Sequence, residues 1–347
     1  MTTNIGQQLN SEKTAGRFRR FGGRVSQTRE IATFALIALV AIYVWLQAPR
    51  FLNLSNVRSI GLAISLILIV AVGESVVLLG RNFDLSIGST VGLSAMTAGM
   101  IFKDHRGASP LMVFAIALGV GVVVGTVNGV LITYLRVPSI VFTLGMLYAI
   151  SGLIFIVANG NQVNPYDVPP SFVSLSITSP IGVPSILLIS AGFALLVAGI
   201  LKWSRFGRSL YALGSNPEAA QMRGLPSRRI VVATFIVSGA AAGLGGAVYL
   251  SQYGLVQVNA GAGLELQAIT AAIVGGVSIF GGSGSILGTV SACILLGEIA
   301  NGIAVLGYSS FLQDSIYGFL LVFAVVANSI SRQTQLSRSL TRPELKI

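Results

Sequence analysis

The chain has 347 residues; 53% are hydrophobic and only 10% are Asp, Glu, Lys or Arg, against roughly 25% in soluble domains. The net charge of +11 lies in segments that join apolar runs, not interleaved with aromatics on a polar face, which argues for membrane orientation and against a nucleic-acid partner. A single cysteine, Cys293, inside an apolar run, excludes an intrachain disulfide or a cysteine metal cluster, and the lone His105 in a polar connection leaves no histidine metal site.

The first 30 residues carry Lys13, Arg17, Arg19, Arg20, Arg24 and Arg29 ahead of the first apolar run, without a small-residue cleavage site, and read as a cytoplasmic tail (1–30) before an uncleaved span. Ten apolar runs follow, at 31–48, 58–79, 86–102, 110–133, 139–158, 185–202, 229–250, 264–280, 286–304 and 311–330. The fold expected is therefore all-α and polytopic, with about ten transmembrane helices in a membrane domain over 31–330 and a second cytoplasmic tail over 331–347. Runs three and eight are the least apolar, and re-entrant half-helices are compatible with either. Residues 264–304 would measure about 61 Å as one helix, so Gly281-Gly282-Ser283-Gly284 must supply a turn. The small-residue run from Gly239 to Gly246 suits close helix packing.

Polar residues inside spans are costly and so become candidates for a solute pathway: Asn128 and Asn301, with Gln267 and Thr270 near the outer mouth, offer hydroxyl-matching groups. Each could equally be interhelical glue. Glu74 and Glu298 suit protonated or hydrogen-bonded helix contacts, and Asp84 suits an N-terminal cap for the third span. Asp84-Leu85-Ser86 opens run three as Glu265-Leu266-Gln267 opens run eight, and Gly125-Thr126-Val127 echoes Gly288-Thr289-Val290, which suggests two halves of inverted topology.

The connection at 203–228 stands apart. Asn216 suits an N-cap, Pro217 a first helical position and Glu218 the positive helix end, while Gly224 ends the helix and Pro226 follows. A helix over 217–223 is about 10 Å long, too short to span a bilayer, and its small Ala219 and Ala220 permit close approach by a partner while Arg223 offers a polar contact. With the N-terminus inside, the cytoplasmic segments hold six cations in the N-terminal tail, Arg81, Arg136, six from Lys202 to Arg229 and four in the C-terminal tail; only Arg50, Arg58, Lys103 and Arg106 fall outside. The short helix is thus expected on the cytoplasmic side. No lysine follows a glycine, so the chain lacks the Gly-Lys end of a phosphate-binding loop and needs an outside energy source.

Four patches resemble the inner-membrane permease subunits of bacterial ABC importers for ribose, xylose, galactose and related monosaccharides: Arg81 to Ser89, Gly214 to Ala220 with Gly224, Gly275 to Gly284, and Asn301-Gly302. Within them Asp84, Ser86, Gly281 and Gly282 belong to the structural motifs. The resemblance implies a dimer of permease subunits, homo- or heteromeric, in the inner membrane with both termini cytoplasmic. It also implies cargo delivery by a periplasmic sugar-binding protein, and cytoplasmic ATPase subunits docked on Asn216 to Gly224. No catalytic residue, cofactor or metal is expected in the chain itself. Where the family commonly has Gly-Gly-Ile before the Asp-Leu-Ser patch, this chain has Arg81-Asn82-Phe83, closer in look to permeases for rhamnose-type deoxysugars or autoinducer-2. The competing readings are a proton-coupled secondary sugar transporter using Glu74 or Glu298, and an intramembrane enzyme, for which no nucleophile–base pair is evident.

Overall fold

In the computed structural model, residues 33–178 and 182–340 are described, with side chains to 330; the whole N-terminal tail expected over 1–30 and residues 341–347 of the C-terminal one lie outside the described residues. All ten apolar runs form helices. They are α1 (Thr33–Gln47), α2 (Leu54–Leu79), α3 (Ile87–Asp104), α4 (Pro110–Leu135), α5 (Ser139–Ala158), α7 (Ser185–Trp203), α10 (Ser227–Tyr253), α11 (Leu264–Val274), α12 (Ile286–Val305) and α13 (Ser310–Leu340). Between them lie a 3₁₀ helix (Pro49–Leu52) and three shorter α-helices, α6 (Pro170–Ile177), α8 (Arg205–Ser215) and α9 (Pro217–Met222). Among the described residues, seven helices are long and apolar enough to cross a membrane: α2, α4, α5, α7, α10, α12 and α13.

Burial sorts these helices into two layers. The most apolar stretch of α2 is 89% buried, whereas that of α13 is 6% buried, so α2 lies at the centre and α13 turns its apolar side chains outward. α10 and α12 join α2 inside, with α4, α5 and α7 outside. The low hydropathy of α3 now has a cause: 13 of its 18 residues are buried, among them Ser89, Thr90, Ser94 and its three glycines, which face other helices.

Small residues bring α4 against α10. A Cβ at Gly121 would reach 2.5 Å from Gly243 N, one at Gly243 would reach 2.5 Å from Ala117 O, and one at Gly125 would overlap Phe235 O. Backbone meets backbone along both helices, which is how spans associate where lipid offers no hydrophobic gain.

The packing repeats with inverted direction. α2 runs towards the α8–α9 end of the bundle, and α10 leaves from that end. α10 packs on α4 and α3 as α2 packs on α12 and α11, while α3 packs on α5 as α11 packs on α13. The helices thus correspond as α2–α5 with α10–α13. The Gly125/Gly288 echo is corrected in detail. Gly125 packs against α10, whereas Gly288 packs on Gly275, the residue that caps the end of α11; the glycine of α12 that presses on α2 is Gly297, against Ile64.

Of the two runs compatible with half-helices, the eighth forms the half-length α11, whereas the third forms the 18-residue α3. α11 has only 11 residues, about 16 Å, and is approached by an irregular segment, 254–263, that starts beside Val163 at the far end of the bundle. Residues 80–86 do the converse, rising from the α8–α9 end along the start of α5, where Phe83 N donates to Ser139 Oγ (3.1 Å) and Leu85 N to Thr143 Oγ1 (3.1 Å). The side chains of α5 thereby satisfy backbone that would otherwise be orphaned inside the bundle.

Candidate functional site: a clamp at one end and a buried junction within

Two polar places stand out. The first begins with the cationic connection, which folds into two helices where one was expected. Ser204 caps α8 by accepting from Gly207 N (3.1 Å), and Leu210 and Leu213 are buried. The cue was present in the sequence: Phe206, Leu210 and Leu213 recur at helical spacing behind a serine cap. Asn216 then ends α8 and starts α9, its Oδ1 accepting from Ala219 N at 3.0 Å, with Pro217 at the first turn. Gly224 follows at φ +73° with open space around it, so it serves the helix stop and not a packing contact. Glu218 and Ala219 are exposed and Ala220 is buried, which presents the start of α9 outward and anchors its underside.

Behind α9, α8 is clamped to the turns at the ends of α2 and α11. Arg81 Nε donates to Gly214 O at 2.6 Å and the Arg81 guanidinium also to Ser215 O at 3.0 Å. Gly282 N donates to Leu79 O (3.0 Å), and Tyr211 donates its phenol proton to Gly284 O (2.9 Å). Burial pushes the Tyr211 phenol up, so it remains a donor throughout the physiological range. Gly281 and Gly282 have φ of +76° and +71°, and a Cβ on either would strike Arg81 or Ser215. These glycines are therefore required twice, by backbone conformation and by contact distance. Arg81, read from sequence only as an orientation charge and a departure from the family pattern, is the hinge pin of this clamp.

The second place lies inside. Asp84 does not cap α3; the N-cap position is Ser86, and Asp84 sits upstream as the hub of a buried network. Its Oδ1 accepts from Ser86 Oγ (2.6 Å) and Ser86 N (3.2 Å), and its Oδ2 accepts from Ser238 Oγ of α10 (2.8 Å). Asp84 N donates to Glu74 Oε1 (3.2 Å), and Asn128 Nδ2 of α4 donates to Ser86 Oγ (2.8 Å). The Asp84 carboxylate thus joins the start of α3 to α10, and the Asp84 backbone and Ser86 extend the network to α2 and α4. Glu74 Oε2 and Asn128 Oδ1 are buried with no partner among the described residues.

Immediately beyond, the start of α3 meets the start of α11. A Cβ on Gly88 would run into Glu265 and Gly261 O, and one on Gly92 would overlap Ala260 O. Glu265 accepts from Gly263 N (3.2 Å), at the first turn of α11. Two helix N-termini, one from each inverted half, therefore converge part-way across the bundle.

The four pathway candidates do not share one site. Asn128 belongs to the Asp84 network, whereas Asn301 Oδ1 accepts from Asn56 Nδ2 (2.8 Å) where α12 approaches the start of α2. Thr270 is buried and donates to Leu266 O of its own helix (2.7 Å); Gln267 is half-buried in the first turn of α11. Glu298 is half-buried on α12 and makes no bond to the Asp84 network. Cys293 is fully buried, as expected of a packing residue, and no cluster of metal-ligating side chains exists among the described residues.

Comparison with known proteins adds the assignment. The family described as "Branched-chain amino acid transport system / permease component" matches residues 56–325. The autoinducer 2 import system permease protein LsrC of Yersinia enterocolitica is 34% identical over 324 residues, covering 89% of this chain and 88% of that protein. LsrC of Yersinia pseudotuberculosis is 34% identical over 84% of this chain and 83% of its own length, and LsrC of Salmonella typhi 32% identical over 89% and 88%. No solved structure matches. The resemblance read from the four patches is borne out, and the chain, a polytopic helical protein whose two inverted halves meet at a buried junction, belongs to this family of transport-system permease components.

Proposed function

We propose that this permease carries a small sugar-like solute, of the class of autoinducer-2 or a deoxysugar, from periplasm to cytoplasm, and that separate ATPase subunits drive it by gripping α9. The family description names amino acids while the relatives are named for autoinducer 2 import; the similarity to the latter covers nearly the whole chain and favours the sugar-like cargo. The observation that carries the mechanism is the clamp: α8 is bonded to the turns ending α2 and α11, one from each inverted half, so a load on α9 reaches both halves together. Rigid helices then transmit it to the junction of α3 and α11, where a two-state rearrangement opens or closes the path.

In this reading Asn216 and Pro217 fix the start of α9, Glu218 and Arg223 make polar contacts with the ATPase, Ala219 and Ala220 allow close approach, and Gly224 releases the chain into α10. Gln267 and Glu265 at the first turn of α11 face the solute, with Thr270 and Asn301 helping to shape the helices around it and Asn128 holding the junction. Arg81, Arg136, Lys202, Arg205, Arg208, Arg223, Arg228 and Arg229 gather at the α8–α9 end, which supports a cytoplasmic placement for that end and, with it, inner-membrane residence with both termini inside. A second permease subunit and a periplasmic binding protein complete the assembly.

The test is reconstitution with and without the ATPase subunits and the binding protein. Uptake of labelled autoinducer-2 should require all components and ATP; accumulation by the isolated chain under a pH gradient would refute the proposal and establish the proton-coupled alternative. Ala219→Cys in a Cys293→Ser background should react with an impermeant maleimide only from the cytoplasmic face.

A further inference from the structure

Between the end of α4 and the start of α10 lies a cavity of about 640 Å³ that the translocation mechanism does not use. Tyr134, Arg136, Gln221, Leu225, Arg228 and Arg229 contribute to its wall, and no acidic side chain lines it. Arg228 lies over the Tyr134 ring, 5.6 Å from its centroid, which fixes one cation at the rim. Arg136 ends α4 in the left-handed conformation, φ 56°, an uncommon choice for a non-glycine residue. None of the three arginines has an ion-pair partner among the described residues, so an electropositive recess is left at the end of two membrane helices.

An apolar track leads to it. Val123, Val127, Val130 and Tyr134 are all exposed and follow one another at spacings of four, three and four, which places them on one face of α4. The track runs from within the membrane span to the cavity wall. A soluble partner would engage the recess but not the track, whereas a phospholipid matches both, with its phosphate among the guanidinium groups and an acyl chain along the valines.

We propose that this recess is a binding site for an anionic phospholipid, with Arg136, Arg228 and Arg229 holding the headgroup and the α4 stripe holding one acyl chain. Bound there, the lipid bridges the ends of α4 and α10 beside α9. The site stands on the membrane-embedded character of the chain and is independent of which solute is carried.

The full chain is to be released from nanodiscs of equal phosphatidylglycerol and phosphatidylcholine and its retained lipids counted by native mass spectrometry. Phosphatidylglycerol should be retained in preference. The preference should fall about fivefold on Arg229→Gln and roughly a hundredfold in Arg136→Gln/Arg228→Gln/Arg229→Gln. Val127→Asn should shorten retention while leaving the headgroup preference in place. The single Arg229→Gln variant, which spares the Arg228–Tyr134 contact, decides the matter if the triple variant does not fold. Equal retention of the two lipids by the unmodified chain, or an unchanged preference in Arg229→Gln, would overturn the proposal. Loss of ATPase capture with lipid retention intact would also overturn it and assign the recess to the protein partner.

Discussion

Gly214→Ala is the sharpest probe of the clamp. A Cβ at this position would come to 2.5 Å from Gly282 N and closer still to Leu79 O, both backbone atoms that cannot rotate away. Real Cβ contacts essentially never fall under 3.0 Å, so α8 must back off by at least half an ångström from Gly282 and further from Leu79. A displacement of about 1 Å stretches the 2.6 Å bond from Arg81 Nε to Gly214 O to about 3.6 Å, which is no longer a hydrogen bond. For a partly exposed, charge-assisted bond the loss is about 1.5 kcal/mol, roughly tenfold in the balance between clamped and released α8. Nothing on α9 changes, so the ATPase should still bind. Uptake and phosphate release measured on the same proteoliposomes should show uptake per ATP reduced about tenfold, with ATPase association within about twofold of the unmodified complex. Gly145→Ala, on α5 with open space around it, is the control and should leave both unchanged. An unaltered uptake-to-hydrolysis ratio in a well-folded Gly214→Ala protein would refute the lever argument.

Further outcomes follow from the interior. Asp84→Ala strands the donors of Ser86 and Ser238 and should cost about 2–4 kcal/mol, while Asp84→Asn restores about half; unfolding midpoints in detergent provide the comparison. Gly243→Leu must force a side chain between α10 and the backbone of α4, so the protein should elute as aggregate in size-exclusion chromatography, at a cost of roughly 3 kcal/mol or more. Cys293 should resist maleimide in the folded protein and react fully once denatured, since its sulfur is fully buried; rapid labelling of native protein would contradict the packing of α12.

The sequence made the helices legible because apolar length is a local property, and α9 legible because Asn216, Pro217 and Gly224 act within a few residues of themselves. α8 escaped notice because its cations and small residues resemble a solvated linker until Phe206, Leu210 and Leu213 are placed on one face. Asp84 was misread as a cap for a different reason: Ser238, which engages it, is 154 residues away, and Asn128, bonded to its neighbour Ser86, is 42 residues from that serine. Nothing local distinguishes a carboxylate that caps a helix from one at the centre of a network that reaches four. The inverted halves were visible as helix order but not as residue correspondence, because glycines recur throughout and only contact decides which of them face equivalent neighbours.

The two irregular segments, 80–86 and 254–263, also govern how the protein must be made. Both stretches lean on other elements for part of their backbone bonding, residues 83 and 85 on α5 and Val256 on Val163, and α11, about 16 Å long, cannot be held across hydrocarbon alone. Neither is expected to settle before the helices it leans on. Ser139 and Thr143 of α5 must be in place before residues 83–85 settle, and α3 before 260–263 can descend beside it. The inner junction is thus complete only when α3 and α5 are both seated, and a variant that weakens these contacts is expected to lower the yield of folded protein.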